Sequence, residues 1–370
     1  MTPISSPKTI LVLESTFELG GAERITFDIL QRVDKGHFRT VICTLYSLGT
    51  VGQQFREAGF CCQERLIRHR FDPRAFLHLR NLARRHKVDL IYFIVQPLTI
   101  FWALVLRNVL GIPVIGAIHN IPVFESSISR IAFTKSVSAL DHVIAVANDQ
   151  KQYLVSSLRV PEHKITVVRN GIDPSLWNHL KERQECGETV VGIVARLVPL
   201  KGIDVFLRAA SLALTKEQSL SFWILGDGPE LARLQALAAQ LELREKVRFL
   251  GWVSDVRSVI SRFSIAVSCS RTEAMPMVLL EYMAVRKAVI ATRVGAVPEL
   301  IEDGKSGLII DADDPEALAS CILRLSQDPA EALRMGENAQ ARVNAEFNIS
   351  RTVRDTESVW LKALGTRPAR

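Results

Sequence analysis

The chain has no C-x-x-C pair and no two-plus-two spacing of cysteine and histidine among its six cysteines and eight histidines. A structural zinc site and a disulfide framework are therefore not expected. Cys61 and Cys62 are neighbours and poor partners for each other, while Cys43, Cys61, Cys269 and Cys321 stand in apolar company. That fits buried, reduced thiols of a cytosolic protein. The first residues, MTPISSPKTILVLE, lack a basic leader and hold an apolar run of only four, so a signal peptide is not expected. G-x-G-x-x-G is missing from both halves, which disfavours a NAD oxidoreductase. One uncharged stretch, LIYFIVQPLTIFWALVL at 90–106, approaches the ~20 apolar residues of a spanning helix. Gln96-Pro97 interrupts it, and proline inside a helix costs ~3 kcal/mol, so strand, turn and helix are expected instead.

What is present is ordinary globular material: 48% hydrophobic and 23% charged residues exclude disorder. A length of 370 residues implies two domains, because single cores stop growing near ~250–300 residues. The net charge of +7 is uneven. Residues 181–370 are neutral, and the segment 65–87 holds eight basic residues against Asp72 alone. Only Phe71 and Phe76 occur there, so the interleaving typical of single-strand nucleic-acid binders is missing, and no nucleic-acid partner is expected.

Short β-branched runs alternate with helical patterns throughout. Strands are expected at 10–14, 40–45, 90–95, 114–117, 142–146 and 165–168, then at 190–194, 221–225, 247–250, 265–268, 289–292 and 307–310. Near-continuous apolar strands of this kind belong to parallel sheets covered on both faces. The polar stretch 174–189 separates two such halves. The expected organisation is a domain at 1–173, a linker at 174–189 and a second domain at 190–345. A last helix near 351–364, amphipathic through Val353, Val359 and Leu361 with Trp360 beside them, would cross back to the first domain. Ligands of such folds bind beyond the carboxyl ends of the strands.

Chemistry concentrates at those ends. After the first strand comes ELGGAER, 18–24, where Gly20-Gly21 permits a close backbone approach before a helix start, or simply a tight turn. ARLVPLKG, 195–202, carries Arg196 and Lys201, a guanidinium fork and a point charge suited to linked phosphates. GDGP, 226–229, is a further glycine turn. SRTEAMPMVLLEYMAV, 270–285, sets Glu273 eight residues before Glu281, with Pro276 between them to begin a helix. Backbone N–H groups of Met277, Val278 and Leu279 would head that helix, a position favourable to a diphosphate. Glu281, inside an apolar helix, needs a partner: two sugar hydroxyls or an ion pair.

Taken in order and spacing, GGAER, His119 in AIHNIP, NGID at 170–173, ARLVPLKG, GDGP, VRFLGWV, the E-x7-E of 273–281 and VGAVPELI at 294–301 resemble glycosyltransferase family 4 over almost the whole chain. The resemblance implies an α/β protein of the GT-B fold, two doubly wound Rossmann-like domains facing across a cleft. It implies a retaining, metal-independent transferase that moves a sugar from a nucleotide-diphosphate sugar, UDP-sugar favoured, and needs no cofactor. Arg196 and Lys201 would hold the donor diphosphate, with Gly20 or Gly21 closing over it. Glu281 would bind the ribose, Glu273 would steady charge near the anomeric carbon, and His119 would contact sugar hydroxyls. Val253 is a further contact to the base. The acceptor would be a glycan or lipid-linked molecule of cell-surface polysaccharide, lipopolysaccharide or glycolipid synthesis. Ala195, Ala274 and Ala296 stand where the family commonly has glycine, and an alanine is strained only where φ is positive.

The basic segment cannot be the diphosphate clamp, which lies in the neutral half. Arg68, Arg84, Arg85 and Lys87 are read as an acceptor or membrane surface, with the chain cytoplasmic and peripheral on the inner face of the membrane. A solvated helix face explains the same charges. A nucleotide-sugar 2-epimerase and a non-catalytic nucleotide-sugar-binding protein are the alternative functions.

Overall fold

The computed structural model describes residues 6–18, 20–69, 72, 74–120, 122, 124, 126–177, 188–243 and 245–365. The chain divides into two compact units, Met1–Asn170 with Ile349–Arg370, and Gly171–Asn348. Residues 178–187 of the stretch read as a linker, Cys186 among them, lie outside the described residues.

The first unit is built on β1 (Lys8–Glu14), β2 (Phe38–Thr44), β3 (Cys61–Gln63), β4 (Leu90–Ile94), β5 (Val114–Ile118), β6 (His142–Ala145) and β7 (Ile165–Val167). Their order is β3-β2-β1-β4-β5-β6-β7, with every pairing parallel. The second unit holds β8 (Thr189–Val194), β9 (Leu220–Leu225), β10 (Val247–Gly251), β11 (Ile265–Ser268), β12 (Ala288–Thr292) and β13 (Leu308–Ile310). Their order is β10-β9-β8-β11-β12-β13, again parallel. Helices return the chain between strands, as parallel pairing requires. The direction of winding reverses between β1 and β4 in one sheet and between β8 and β11 in the other. A crevice opens at such a switch point because the flanking loops leave in opposite directions.

The expected strands are found to within two residues. Unforeseen was β3, a three-residue edge strand whose Cys61 and Cys62 are half-buried; it has no apolar run to betray it. Cys43 and Cys269 are buried, and Cys61, Cys62 and Cys321 are half-buried free thiols. Residues 90–106 divide between β4 and the helix Pro97–Leu110, whose Gln96 cap and Pro97 start it after the strand. Among the described residues no helix is long and apolar enough to cross a membrane.

The final helix, Ile349–Gly365, completes the first unit. Trp360 is buried there edge-on against Phe38 at 5.3 Å and Tyr92 at 5.5 Å. The helix face differs from the one expected: Val353 and Val359 are buried, but Leu361 is exposed. Val353 and Trp360, seven residues or about two turns apart, share the buried face with Val359 beside them, and Leu361 falls past its edge.

Candidate functional site

In the second unit β8 and β11 lie side by side, Ile193 paired with Val267. Their carboxyl ends therefore deliver segments 195–202 and 269–276 to one place. The turn Pro199–Lys201 closes on Gly202 at φ +65°. A Cβ there would stand 2.1 Å from the Cys269 carbonyl oxygen, so only glycine lets the two segments meet. Lys201 Nζ donates to the Glu273 carboxylate. Ser270 Oγ donates to the same oxygen at 2.8 Å, and Thr292 Oγ1 holds the Ser270 carbonyl at 2.6 Å. The pairing of Lys201 with Glu273 was not legible in the sequence, where they stand 72 residues apart. Arg196 is exposed and has no side-chain partner among the described residues.

Arg271 is a site residue that the sequence reading missed. Its Nη atoms grip both Asp204 oxygens, at 3.1 and 2.9 Å, and the Pro199 carbonyl. Nε donates to Asp313 at 2.7 Å, and its backbone N–H donates to Leu200 O at 2.8 Å. Asp204 accordingly sits below the usual carboxylate range, despite the opposing effect of its burial. This one side chain ties the turn carrying Lys201 to the loop carrying Glu273. The available signal was an arginine two positions before Glu273, but only the tertiary contacts say what it holds.

The helix after this loop is Met277–Ala284, capped by Pro276. Met277 and Val278 N–H find no acceptor among the described residues, while Leu279 N–H turns back to Pro276 O at 3.2 Å. Two of the three expected donors thus remain at the helix end. Glu281, the fifth residue, is half-buried. Its neighbour Tyr282 accepts from Val194 N at 2.7 Å, pinning this helix to the end of β8. GDGP serves the same rim: a Cβ on Gly226 would lie 1.9 Å from Ala195 O, and one on Gly228 would lie 2.4 Å from Leu197 O. The glycines admit the Arg196 loop. Gly226 N in turn bonds Gly251 O at 2.9 Å, which brings the half-buried Val253 to the edge of this turn.

Ala195, Ala274 and Ala296 all avoid positive φ, so their methyl groups carry no backbone strain. Beside them Gly295 takes φ +49°, under the Glu273 carbonyl. A D-x-D triplet occurs at Asp311-Ala312-Asp313. Asp313 is held by Arg271, and Asp311 lies 3.7 Å from Arg293. Among the described residues no three His, Cys, Asp or Glu side chains gather as metal ligands.

In the first unit Gly20 precedes the helix Gly21–Arg32 in extended backbone, so its glycine is not needed for φ. The Glu23 side chain folds over it. His119 follows β5 directly. Both of its ring nitrogens are shielded from solvent and have no hydrogen-bond partner among the described residues, and burial lowers its pKa to about 4. The basic segment is split. Arg68 follows β3, at the carboxyl edge of the sheet, whereas Arg84, Arg85 and Lys87 end the helix Arg74–Arg85 and lead into β4 at the amino edge. Twelve residues at ~1.5 Å each separate the two ends by ~18 Å. Arg84, Arg85 and Lys87 are exposed and have no side-chain partner among the described residues. Lys87 lines a cavity of 890 Å³ with Lys8, Lys35, Arg39 and His86. Beside these cations, Ile67, Leu79 and Leu82 are buried in the core, while Leu77 is 51% exposed. Phe71 lies outside the described residues.

Two family models match: Glycosyltransferase Family 4 over residues 19–176, and Glycosyl transferases group 1 over 178–342. The chain is 33% identical over 260 residues to the lipopolysaccharide core biosynthesis mannosyltransferase of Rhizobium leguminosarum, covering 65% of this chain and 71% of that one. Its backbone follows a glycosyltransferase from Rickettsia africae with a TM-score of 0.84 at 19% identity, over 98% of this chain and 100% of the other. The Anabaena protein HepE, solved with UDP and glucose, superposes with a TM-score of 0.82 at 20% identity, over 95% and 99%. Together with the two parallel sheets these likenesses establish the GT-B fold, and the chain belongs to glycosyltransferase family 4, the glycosyl transferases group 1.

Proposed function

We propose that this protein is a retaining glycosyltransferase that moves a sugar from UDP to a glycan or lipid-linked acceptor of cell-surface polysaccharide or lipopolysaccharide synthesis. The observation that carries the donor site is the convergence of Lys201, Glu273, Arg196 and the Met277–Val278 N–H groups on one switch point. Two cations and a helix N-terminus there suit a diphosphate. Glu273, already beside Lys201, would meet the transferred sugar as Lys201 turns to the phosphates. Glu281 would take the ribose hydroxyls. UDP is favoured by the fold-level likeness to HepE, which was solved with UDP and glucose. The cell-surface setting comes from the Rhizobium relative named for lipopolysaccharide core synthesis. Transfer on the donor's own face lets the leaving phosphate take the acceptor's proton, so positioning and charge stabilisation do the work without a dedicated base or a metal.

Peripheral contact with an anionic membrane is part of the same reading. It is supported by the cations Arg84, Arg85 and Lys87, which have no side-chain partner among the described residues, and by exposed Val109 near the end of the adjoining helix Pro97–Leu110. Their place at the amino edge of the sheet, opposite the rim that carries His119, favours a membrane over the reacting end of an acceptor.

Titration calorimetry with UDP and a panel of UDP-sugars tests the donor site. Wild type should bind, and Lys201→Ala or Glu281→Ala should reduce affinity at least about tenfold, the equivalent of ~1.4 kcal/mol. Unchanged affinity in both variants would sink the assignment.

A further inference from the structure

The amino edge of the first sheet holds a cavity of 890 Å³, on the opposite edge from the rim that carries His119. Because β1 is seven residues long, the two edges stand ~20 Å apart. The cavity forms where three helices end and the strands begin. Leu30 and Val33 come from the end of the helix Gly21–Arg32, Ala58 and Gly59 follow the helix Thr50–Glu57, and His86 and Lys87 follow the helix Arg74–Arg85. The strands then set Lys8 beside Phe38 and Thr9 beside Arg39, and Asp89 N donates to Thr9 O at 2.9 Å. Lys8, Lys35, Arg39 and Lys87, distant in sequence, thereby line one space.

Helix C-termini carry the negative end of the peptide dipoles, roughly half a charge each, so three of them should by themselves repel an anion. The lining reverses that. It holds four lysine and arginine side chains against one carboxylate, Asp89, a surplus of three. Asp89 is itself engaged, accepting from Thr9 N at 2.8 Å and from Lys8 at 3.3 Å. Lys35, Arg39 and Lys87 are exposed and have no side-chain partner among the described residues. The His86 pKa is lowered first by burial and then by the charges of Arg39 and Arg85, which places a positive field at this edge. Buried Leu30, Val33 and Phe38 give the same cavity apolar walls. Ammonium and guanidinium groups donate well to phosphate oxygens, and a monoester carries about −1.5 to −2 at neutral pH, which this surplus can match. The volume is that of a small-molecule site rather than a polymer groove.

We propose that this cavity binds a phosphate monoester, carried by a small soluble molecule or by a lipid headgroup. Lys35, Arg39 and Lys87 donate to the phosphate oxygens, and Leu30, Val33 and Phe38 receive the organic part. The site goes beyond sugar transfer: it shares no residue with the Lys201–Glu273 site, which belongs to the other unit.

Titration calorimetry of the full chain with inorganic phosphate and with glycerol 3-phosphate, at an ionic strength fixed with chloride, tests it. Wild type and Lys201→Ala should both bind, whereas the double variant Lys35→Ala/Arg39→Ala should bind at least about tenfold more weakly. Both of its side chains are exposed, so their truncation leaves the core intact. Flotation on phosphatidylcholine vesicles carrying phosphatidic acid or phosphatidylglycerol, matched in surface potential, separates the two sources. A soluble ligand gives the calorimetric signal with no preference between the vesicles. A headgroup gives preferential recovery on phosphatidic acid, which the double variant loses. Either result supports the site. Binding that the double variant retains in full, binding that Lys201→Ala abolishes, or the lack of both calorimetric binding and vesicle preference would each overturn it.

Discussion

At the scale of single residues, several side chains are held in protonation states that water would not choose. His119 and His142 both titrate near pH 4, chiefly through burial, and for His142 also through Lys362 and His163. The unfolded chain protonates them near 6.5. Between those values the unfolded state binds more protons, so stability should fall as pH drops from about 6.5 to about 4 and level off below. Urea midpoints followed across that window should show the decline, and His119→Phe should flatten part of it; an identical profile would contradict the placement of the ring. Glu14 runs the other way. Its raised pKa means that the folded chain holds a proton the unfolded chain releases, which costs stability as pH rises above the ordinary carboxylate range. Of these effects the sequence shows only residue types. Burial, the main cause of the shifts, comes from packing.

Elements carry the next set of constraints. The Lys201 turn and the Glu273 loop are joined by Gly202, by Arg271 and by the ion pair itself. Gly202→Ala would place a methyl against the Cys269 carbonyl at φ +65° and should destabilise the second unit by roughly 1–3 kcal/mol. Arg271→Ala leaves Asp204 without its bidentate partner and should cost a similar ~1–3 kcal/mol. It should also weaken UDP binding although Arg271 lies behind the turn. Denaturant melts and calorimetry on the same samples measure both effects, and UDP affinity that survives Arg271→Ala would show that Lys201 keeps its place unaided. The glycines at 202, 226 and 228 were visible as a pattern, but their purpose was not. In each case a backbone carbonyl from a distant segment occupies the room a Cβ would need, and local sequence cannot register that. The closing helix is similar. Its amphipathic period was readable, yet that Leu361 lies outside the buried face depended on the sheet it meets, and Trp360→Ala should cost ~3–5 kcal/mol.

For the whole molecule, the excess charge is local and divides further in three dimensions. Arg68 belongs to the carboxyl edge of the first sheet, and Arg84, Arg85 and Lys87 belong to the amino edge. Vesicle flotation at low salt should recover wild type on anionic but not neutral vesicles. Replacing Arg84, Arg85 and Lys87 with alanine should remove most of that difference, at ~1 kcal/mol per basic residue near a charged surface. Equal recovery on both vesicle types would leave these cations as a solvated helix face.

The alternation of apolar strands with helical patterns, by itself, determined two parallel α/β units, because strands buried on both faces must be apolar along their length. Motif order determined the family, since glycine turns and charged residues recur at the ends of particular strands. Tertiary structure alone decided which of those residues meet. Lys201 reaches Glu273 only because β8 and β11 are neighbours at a reversal of winding, and Arg271 matters only because that reversal leaves two loops to be joined. Glu14 was unremarked as a strand-ending carboxylate. Its complete burial and the Ile94 N–H it accepts came from the sheet and helices around it, which depends on what surrounds a residue rather than on which residue it is.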